Sequence, residues 1–451
     1  MKCQPYTEYK ESGVQWLGKV PVHWEVTKVK YYYDVQLGKM LQPEPSNDNY
    51  TEVKYLKAQH VQWNAIHVDD LPTMWASQKE VDKFAVQKGD LLICEGGEVG
   101  RSALLCELPE PCIIQNALHR VRPRAHSCVK YLKHVMCFVA SAKWFDILCN
   151  RATIAHLTGE KLGSLEFVLP PLEEQQAIAD FLDRKTAQID ELIAKKEELL
   201  GKLDEKRSAL ISRTVTRGLP ADIAREFGLE PHTRFKDSGI EWLGEVPEGW
   251  EIWKIAHGFK YTGSGTTPPT DEDIWYDGDI RWLTTSELRE NVVSDTSKNV
   301  SKGALSAFSA LKVFPEGSLA IAMYGATIGR LGILGIPAAT NQACCVMGGD
   351  VALNSYFMFY WFQAFREKVV LLSSGGGQPN ISQEKIRSLR VASPELPEQK
   401  AIAAYLDRET SKIDQLRERV SSAVERLREY RAALISDAVT GQRLLTANPS
   451  H

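Results

Sequence analysis

The sequence contains one short phrase twice, half a chain apart. Ser12–Pro21 reads SGVQWLGKVP and Ser238–Pro247 reads SGIEWLGEVP. A stronger echo joins EQQAIADFLDRKTAQID at Glu174–Asp190 to EQKAIAAYLDRETSKID at Glu398–Asp414. The distance between the copies far exceeds the roughly 20–50 residues of a solenoid repeat. The pattern therefore predicts a duplicated domain, with each copy made of a globular block followed by a charged helical segment.

This organisation predicts an α+β fold with a pseudo-two-fold internal repeat. Two mixed α/β blocks, residues 1–170 and 219–395, are separated by two long helices, residues 171–218 and 396–441. The linker-like parts of the two copies match closely, whereas the globular parts diverge. The helices are therefore expected to share one scaffolding task, and the blocks to differ in what they contact.

The helical segments carry an apolar stripe at alternating steps of three and four residues, which is typical of a coiled coil. A helix this long with a narrow stripe needs a partner, and the simplest partner is the other copy in an antiparallel pair. The alternative is that each helix packs only on its own globular block. The predicted seam residues are Ile189, Leu192, Leu199, Leu203 and Leu210 in the first helix and Ile413, Leu416, Val420, Leu427 and Leu434 in the second. Gly218 and Gly441 are the expected helix stops.

The composition is that of a soluble globular protein, with 43% hydrophobic and 25% charged residues. No apolar run reaches the roughly 18 residues of a membrane span, and the first residues lack the apolar core of a signal peptide. A cytoplasmic protein without a membrane partner is therefore expected. The net charge of −4 does not by itself favour nucleic-acid binding, so any positive charge that contacts DNA must be local or supplied by a partner.

Sequence signatures of catalysis are missing. The two Pro-Pro pairs, at Pro170 and Pro268, lack the flanking residues of an adenine-N6 methyltransferase loop. There is no G-x-x-x-x-G-K-[ST] phosphate-binding loop, and the nine cysteines lack the paired spacing of a zinc site. The chain is therefore expected to be non-catalytic and to bind no metal.

The duplicated phrase SG-x-x-WLG-x-VP-x-x-W, the segment PPLEEQQAIADFLD and the LDR-x-T-x-x-ID helices resemble the specificity subunit of type I restriction–modification systems. The resemblance covers nearly the whole chain. It implies two target recognition domains on an antiparallel coiled-coil spacer, reading the two halves of a bipartite site in double-stranded DNA. It also implies two copies of an adenine-N6 methyltransferase subunit and a translocating endonuclease as partners. The cofactors S-adenosylmethionine, ATP and magnesium are then expected on those partners, with none on this chain.

Candidate DNA contacts were sought where polar side chains or glycines interrupt the apolar pattern, because such groups reach base edges and phosphates. Two pairs of stretches stand out, Tyr55–Asn64 with Ile280–Asn291 and Cys149–Lys161 with Ser373–Lys385. A third pair, Gly96–Arg101 with Tyr324–Arg330, is interpreted as strand turns. The candidate DNA-binding residues are Lys57, Gln59, His60, Arg151 and His156 in the first copy and Thr284, Thr285, Ser286, Gly376, Gln378 and Asn380 in the second.

Two further interpretations complete the sequence-based account. Trp16, Trp24, Trp242 and Trp250 could stack on bases, but they recur in the repeated phrase and are therefore expected to pack the start of each domain against the helices. The main alternative function is a two-headed adaptor whose blocks bind proteins and whose coiled coil spaces them. The negative net charge slightly favours this alternative.

Overall fold

The computed structural model describes residues 3–4, 6–108, 110–124, 126–149, 156–373, 380–442 and 444–445. The chain forms two compact units. Unit 1 comprises Met1–Glu197 with Ser422–His451, and unit 2 comprises Glu198–Ser421. Each long helix contributes one part to each unit, so these units do not test the domain boundaries given above, which stay predictions.

Unit 1 is built mainly from short strands. Its helices are α1 (Val29–Tyr32), α2 (Gln78–Phe84), α3 (Val129–Ser141), α4 (Trp144–Leu148), α5 (Gly159–Ser164) and the first part of α6 (Leu172–Arg217), with a 3-10 turn at Ala58–His60. Its strands are β1 (Cys3–Gln4), β2 (Tyr9–Glu11), β3 (Lys19–Pro21), β4 (Glu25–Lys28), β5 (Tyr33–Leu37), β6 (Tyr50–Leu56), β7 (Val61–Gln62), β8 (Ala65–Ile66), β9 (Thr73–Ser77), β10 (Leu91–Cys94), β11 (Ser102–Leu104), β12 (Cys112–Ile114), β13 (Leu118–Pro123) and β14 (Glu166–Leu169).

Unit 2 repeats this plan. Its helices are the second part of α6, then α7 (Ala221–Glu226), α8 (Ile255–Gly258), α9 (Lys302–Ala307), α10 (Ser355–Ala364), α11 (Arg366–Leu371), α12 (Gln383–Ser388) and the first part of α13 (Leu396–Val439), with 3-10 turns at Asp273–Trp275, Thr285–Glu287 and Gly325–Thr327. Its strands are β15 (Phe235–Asp237), β16 (Glu245–Pro247), β17 (Glu251–Lys254), β18 (Phe259–Gly263), β19 (Ile280–Leu283), β20 (Asn291–Val293), β21 (Lys298–Val300), β22 (Val313–Phe314), β23 (Leu319–Ala322), β24 (Leu331–Leu334), β25 (Ala338–Thr340), β26 (Cys344–Asp350) and β27 (Arg390–Ser393). The last strand of the chain, β28 (Leu444–Leu445), pairs with β1 in unit 1.

The two units share their sheet topology although their sequences diverge. The antiparallel order β11-β10-β13-β5 in unit 1 recurs in unit 2 as β24-β23-β26-β18, extended by β20. The order β12-β6-β9 recurs as β25-β19-β21, extended by β22, and the first two strands of each set are parallel. Strands β10 and β23 are buried at every residue, which suits their continuous apolar sequences LLIC and LAIA. The α+β fold with an internal repeat, predicted from sequence, is confirmed.

The glutamines of the repeated Glu-Gln pair bond the start of each long helix to the globular block that precedes it. Gln175 is fully buried; its side chain donates to the carbonyl of Pro170 at 2.8 Å and accepts from the backbone N–H of Cys128 at 2.8 Å. Gln399 is equally buried and does the same in unit 2, donating to Pro394 and accepting from Asn354. A buried polar group that lacks its partner is costly, so these bonds explain why both copies keep this glutamine.

The long helices end at the glycines that the sequence indicated. Gly218 and Gly441 follow α6 and α13 with φ values of 79° and 72°, in the left-handed region that favours glycine. A Cβ on Gly441 would lie 2.4 Å from Pro21, and one on Gly218 would lie 2.6 Å from His232. The end of α13 is therefore packed closely against the first copy of the repeated phrase, and the end of α6 against His232, which precedes the second copy.

Within each unit the parts of α6 and α13 run antiparallel. In unit 1, Arg431 bonds to Asp190 at 2.8 Å and Arg428 to Glu197 at 2.8 Å. In unit 2, Arg417 bonds to Asp204 at 2.7 Å and Arg207 to Asp414 at 3.2 Å. As the residue number rises on one helix it falls on the other, and the predicted antiparallel pairing is confirmed in both units. Neither these helices nor any other in the described part of the chain combines the length and apolarity needed to traverse a bilayer.

Seven of the ten predicted seam residues lie on the inward side of their helices. Ile189, Leu203, Ile413, Val420 and Leu434 are buried, and Leu210 and Leu427 are partly buried against the cores of their units. Leu192, Leu199 and Leu416 were wrongly placed in the seam, since they are 48%, 39% and 43% exposed. The inward positions lie one residue later, at Ile193, Leu200 and Arg207 on α6 and Arg417, Val424 and Arg431 on α13. The apolar pattern misleads because arginines that pair with carboxylates on the facing helix occupy several inward positions.

The corrected register predicts opposite outcomes for two neighbouring leucines. Leu203→Ala should lower the free energy of unfolding by about 2–4 kcal/mol, because it removes a buried side chain from a packed site. Leu199→Ala, one turn away on the same helix, should change it by less than about 1 kcal/mol. Urea denaturation followed by circular dichroism measures both. Equal losses for the two variants would contradict the register described above.

Candidate nucleic-acid interface

Four segments meet at one edge of unit 1, where the parallel strands β6 and β12 end. The first is the turn Lys57–His60, which directly follows β6. It is held by Arg101, whose guanidinium donates to the carbonyl of Ala58 at 2.9 Å. Gln59 is exposed and Lys57 is partly buried, whereas His60 is only 7% exposed and its Nδ1 accepts from the backbone N–H of Lys57. Lys57 and Gln59 can therefore reach a ligand, and His60 supports the turn.

Two of the other segments join the same edge through backbone hydrogen bonds. The loop Glu95–Arg101 connects β10 to β11, so the turn predicted there is confirmed. The N–H of Leu157 donates to the carbonyl of Glu95 at 2.8 Å, which places the segment after His156 beside this loop. His156 is exposed, and a Cβ on Gly96 would lie 3.5 Å from its Nδ1. The sequence-based candidates thus converge, although they lie far apart in the chain.

The fourth segment is a three-residue turn, Gln115–Ala117, which sequence reasoning missed. The N–H of Gln115 donates to the carbonyl of Leu56 at 2.9 Å, and the carbonyl of Ala117 accepts from Glu95 at 3.0 Å. The turn therefore lies between the first segment and the loop after β10. Its only sequence signal is a pair of carboxamides between two apolar strands. We call the four segments, residues 57–60, 95–101, 115–117 and 156–159, the loop edge of unit 1.

Unit 2 assembles an equivalent loop edge from residues 284–287, 323–330, 341–343 and 380–383. The N–H of Asn341 donates to Leu283 at 3.1 Å, Met323 donates to Ala343 at 2.8 Å, and Ile381 donates to Met323 at 3.0 Å. These bonds match those of unit 1 segment by segment. The parallel pair β19/β25 thus places residues 284–287 beside 341–343 in unit 2, as the pair β6/β12 places residues 57–60 beside 115–117 in unit 1.

The predicted residues of unit 2 take different positions on this edge. Thr284 begins the 3-10 turn, and its hydroxyl hydrogen-bonds to that of Ser286 at 2.8 Å and donates to Glu287 at 3.1 Å. Ser286 and Asn380 are exposed and Thr285 is partly buried. Asn380 pairs with Tyr324 through an isolated bridge. Three further candidates, Arg151, Gly376 and Gln378, lie outside the described residues.

Two buried histidines, His60 in the loop edge of unit 1 and His119 beneath it, have lowered pKa values. Burial lowers the pKa of His60, and the nearby Lys57 and His67 lower it further. Burial also lowers the pKa of His119, which lies under Gly159 and donates to the carbonyl of Leu157 at 2.7 Å. The lowered pKa values favour the neutral forms of His60 and His119, which then act as hydrogen-bonding groups rather than as cations. Such groups suit recognition of base edges and phosphates.

The tryptophans of the repeated phrase lie in the framework. Trp24 is fully buried, and its Nε1 donates to Glu174 at the start of α6 at 2.9 Å. In unit 2, Trp250 is buried against His232, which hydrogen-bonds to Glu398 at 2.7 Å. Trp16 and Trp242 contact aromatic side chains of their own units, Phe138 and Trp144 in one and Trp361 and Phe365 in the other. The prediction that these rings pack the domain start against the helices is confirmed for Trp24 and Trp250.

A repeated aspartate bonds each long helix to a helix of the globular block that precedes it. Asp183 accepts hydrogen bonds from Lys133 at 2.5 Å and His134 at 2.8 Å. Burial opposes ionisation of Asp183, but the bonds from His134 and Lys133 outweigh it and lower its pKa. Its counterpart Asp407 accepts from Tyr360, whose pKa is raised by burial and by that bond. The aspartate thus occupies the same position in both copies, whereas the side chains that donate to it differ.

The family model for the type I restriction modification DNA specificity domain matches the chain twice, over residues 21–201 and 247–426. The chain belongs to this family. Each match contains one complete loop edge together with the start of the long helix that follows it. The assignment supports the resemblance found in the sequence, and it does not support the protein-binding adaptor.

Known specificity subunits are similar to this chain along nearly its full length. A putative type I restriction enzyme MjaX specificity subunit of Methanocaldococcus jannaschii is 24% identical over 96% of this chain and 97% of its own length. The EcoKI specificity subunit of Escherichia coli is 22% identical over 94% of this chain and 90% of its own. The similarity therefore extends over both matched domains of this chain.

Solved structures share the fold. A chain from a study of complex assembly and conformational transition in a type I R-M system superposes with a TM-score of 0.68 at 14% identity, covering 93% of this chain and 98% of that one. The HsdS subunit of Thermoanaerobacter tengcongensis gives 0.54 at 14% identity, covering 94% and 98%. The architecture thus persists where most side chains have changed, which agrees with the topology repeated inside this chain.

Proposed function

We propose that the chain is the non-catalytic specificity subunit of a type I restriction–modification complex. Each specificity domain reads one half of a bipartite target in double-stranded DNA. The observation that carries this is the presence of two DNA specificity domains, each with a loop edge of the same construction but different side chains. The first offers Lys57 and Gln59 where the second offers Thr285 and Ser286. Two unlike edges on equivalent scaffolds favour an asymmetric split site over a palindrome.

The long helices act as the spacer in this proposal. Helix α6 has 46 residues and α13 has 44, and antiparallel ion pairs join them in both units. At about 1.5 Å per residue each helix is roughly 65–70 Å long, which is about two turns of DNA. A spacer of this kind sets the number of unread base pairs between the half-sites.

The chemistry belongs to partner subunits. We infer two copies of an adenine-N6 methyltransferase and a translocating endonuclease, with S-adenosylmethionine, ATP and magnesium bound to them. Two methyltransferase copies are supported by the exposure of Leu192 and Leu416, which occupy equivalent positions of the repeat and are 48% and 43% exposed. Equivalent exposed leucines on the two helices provide two similar docking positions. Because the methylated base must leave the stack, each partner flips its adenine out of the duplex.

A salt titration tests DNA binding against the adaptor function. The chain, purified with its methyltransferase, should retain plasmid DNA on a filter at low salt and lose it steeply as salt rises. The logarithm of the binding constant should fall linearly with the logarithm of salt concentration, at roughly 0.9 per phosphate neutralised. No retention of DNA at low salt would favour the adaptor and refute the proposal.

A further inference from the structure

The turn missed in the sequence carries two carboxamides in both units. It reads Gln115–Asn116–Ala117 in unit 1 and Asn341–Gln342–Ala343 in unit 2. The neighbouring segments of the loop edges differ in chemistry, with Lys57 and Gln59 on one side and Thr285 and Ser286 on the other. A feature that both units keep beside turns of unlike chemistry points to a task that both units share.

The backbone fixes this turn in the same way in both units. In each unit a strand of the larger sheet, β5 or β18, is followed by a glycine that packs against the backbone at the start of the turn. A Cβ on Gly38 would lie 2.2 Å from the carbonyl oxygen of Gln115, and one on Gly265 would lie 1.7 Å from that of Thr340. Only glycine permits this approach. The turn is therefore a rigid part of the edge, positioned on three sides by strand ends.

In unit 2 the fold uses the acceptor atoms of the two side chains and leaves their donors free. The side-chain oxygen of Asn341 accepts from the N–H of Ala343 at 3.2 Å, and that of Gln342 accepts from the hydroxyl of Thr267 at 2.6 Å. Neither side-chain NH₂ group donates to another described residue. Asn341 is partly buried and Gln342 is exposed, so both NH₂ groups are open to a ligand that accepts hydrogen bonds.

Unit 1 leaves the same groups available. Gln115 and Asn116 are partly buried, and neither side chain hydrogen-bonds to any residue that the structure describes. Because the two side chains of unit 1 bond to no described residue, they do not hold its turn together, and a role in folding does not explain why carboxamides occur there. A ligand contact does.

We propose that these carboxamide pairs donate hydrogen bonds to the sugar-phosphate backbone of the target and dock each recognition domain in a common pose. The proposal rests on the proposed function, because it requires the two loop edges to bind DNA. Different half-sites have different bases but the same phosphates, so a group common to both edges suits the phosphates. Asparagine and glutamine are regular phosphate donors, and such contacts set register without reading sequence. Neutral donors also suit a chain whose net charge is −4.

The test replaces each free NH₂ group by oxygen and keeps the acceptor. Asn341→Asp with Gln342→Glu retains the oxygens that bond to Ala343 and Thr267, and Gln115→Glu with Asn116→Asp makes the same change in unit 1, where no side-chain bond is at stake. The matched control is Ser306→Asp with Ser309→Asp, which adds two charges at exposed residues of unit 2. Both serines follow β21, whose residue Val300 pairs with Ile280. Ile280 lies at the end of β19 that is opposite to the loop edge.

The readout is the affinity of the methyltransferase complex for a duplex carrying its site, together with the methylated motif in cells. Either carboxylate pair should weaken binding at least about tenfold, since each lost bond is to a charged group, and should leave the motif unchanged. The serine control should bind within twofold of the unmodified complex. Binding within twofold by both carboxylate pairs, or a changed base in the motif, would overturn the proposal. If the unmodified complex does not bind the duplex, the proposed function itself is refuted.

Discussion

Replacing residues 31–156 by the corresponding block of another specificity subunit changes one half of the methylated motif and leaves the other half unchanged. Nearly all of the loop edge of unit 1 lies inside this block, including Lys57, Gln59 and Gln115. The framework residues Trp24, Glu174 and Gln175 lie outside the exchanged block and are retained. The new half should be the one that the donor subunit reads, because base contacts come from the loops and the pose comes from the framework.

Single-molecule sequencing of host DNA measures this outcome directly. The matched control is the exchange of residues 257–380, the equivalent block of unit 2. This block contains most of the loop edge of unit 2, so its exchange should change only the other half of the motif. Both exchanges should preserve the gap between the halves, because the long helices are untouched. A change in both halves after one exchange would show that the two domains do not read independently.

Lengthening both long helices by one heptad abolishes methylation of the native site and moves it to a site with a longer gap. Duplicating residues 191–197 after Glu197 and residues 415–421 after Ser421 preserves the seven-residue repeat of inward positions in α6 and α13. Seven residues add about 10 Å, which is roughly three base pairs of duplex. Three base pairs also rotate one half-site about the DNA axis by roughly a third of a turn, so the new site should be methylated less efficiently than the original.

Duplicating the heptad in α13 alone is the control for this insertion. It shifts the facing charges by two helical turns, so that Arg431 no longer meets Asp190 while Arg417 keeps Asp204. The antiparallel pair should then fail to form and methylation should disappear at every gap. Methylation of the native site by the chain with both helices lengthened would contradict the spacer role of the helices.

The framework could be predicted from the sequence because it is written twice. Trp24, Trp250 and the glycine stops Gly218 and Gly441 have the structural roles that their recurrence indicated. The coiled-coil register could be predicted only in part. Leu416 is apolar and faces outward, whereas Arg417 faces the other helix and bonds to Asp204. A pattern of apolar letters misplaces such positions, because an arginine can fill an inward site when a carboxylate faces it.

The loop edges were harder to predict because they form only in three dimensions. Residues such as Gln59 and His156 are nearly a hundred positions apart. The parallel pairing of β6 with β12 places the turn at Gln115 beside the first segment, and backbone bonds through Glu95 add the segment of His156. Periodicity finds those strands but not their neighbours in the sheet. The turn at Gln115 has no charge, no aromatic residue and no glycine, so its pair of carboxamides was the only local signal. Its counterpart at Asn341 becomes evident only when the two sheets are compared.

The most direct test of the account is the methylome of a host that carries this chain and its methyltransferase, compared with the same host lacking only this chain. The account predicts N6-methyladenine at one split motif that depends on the chain, with two different halves at a single fixed separation. A continuous motif, a variable gap or no dependence on the chain would contradict it.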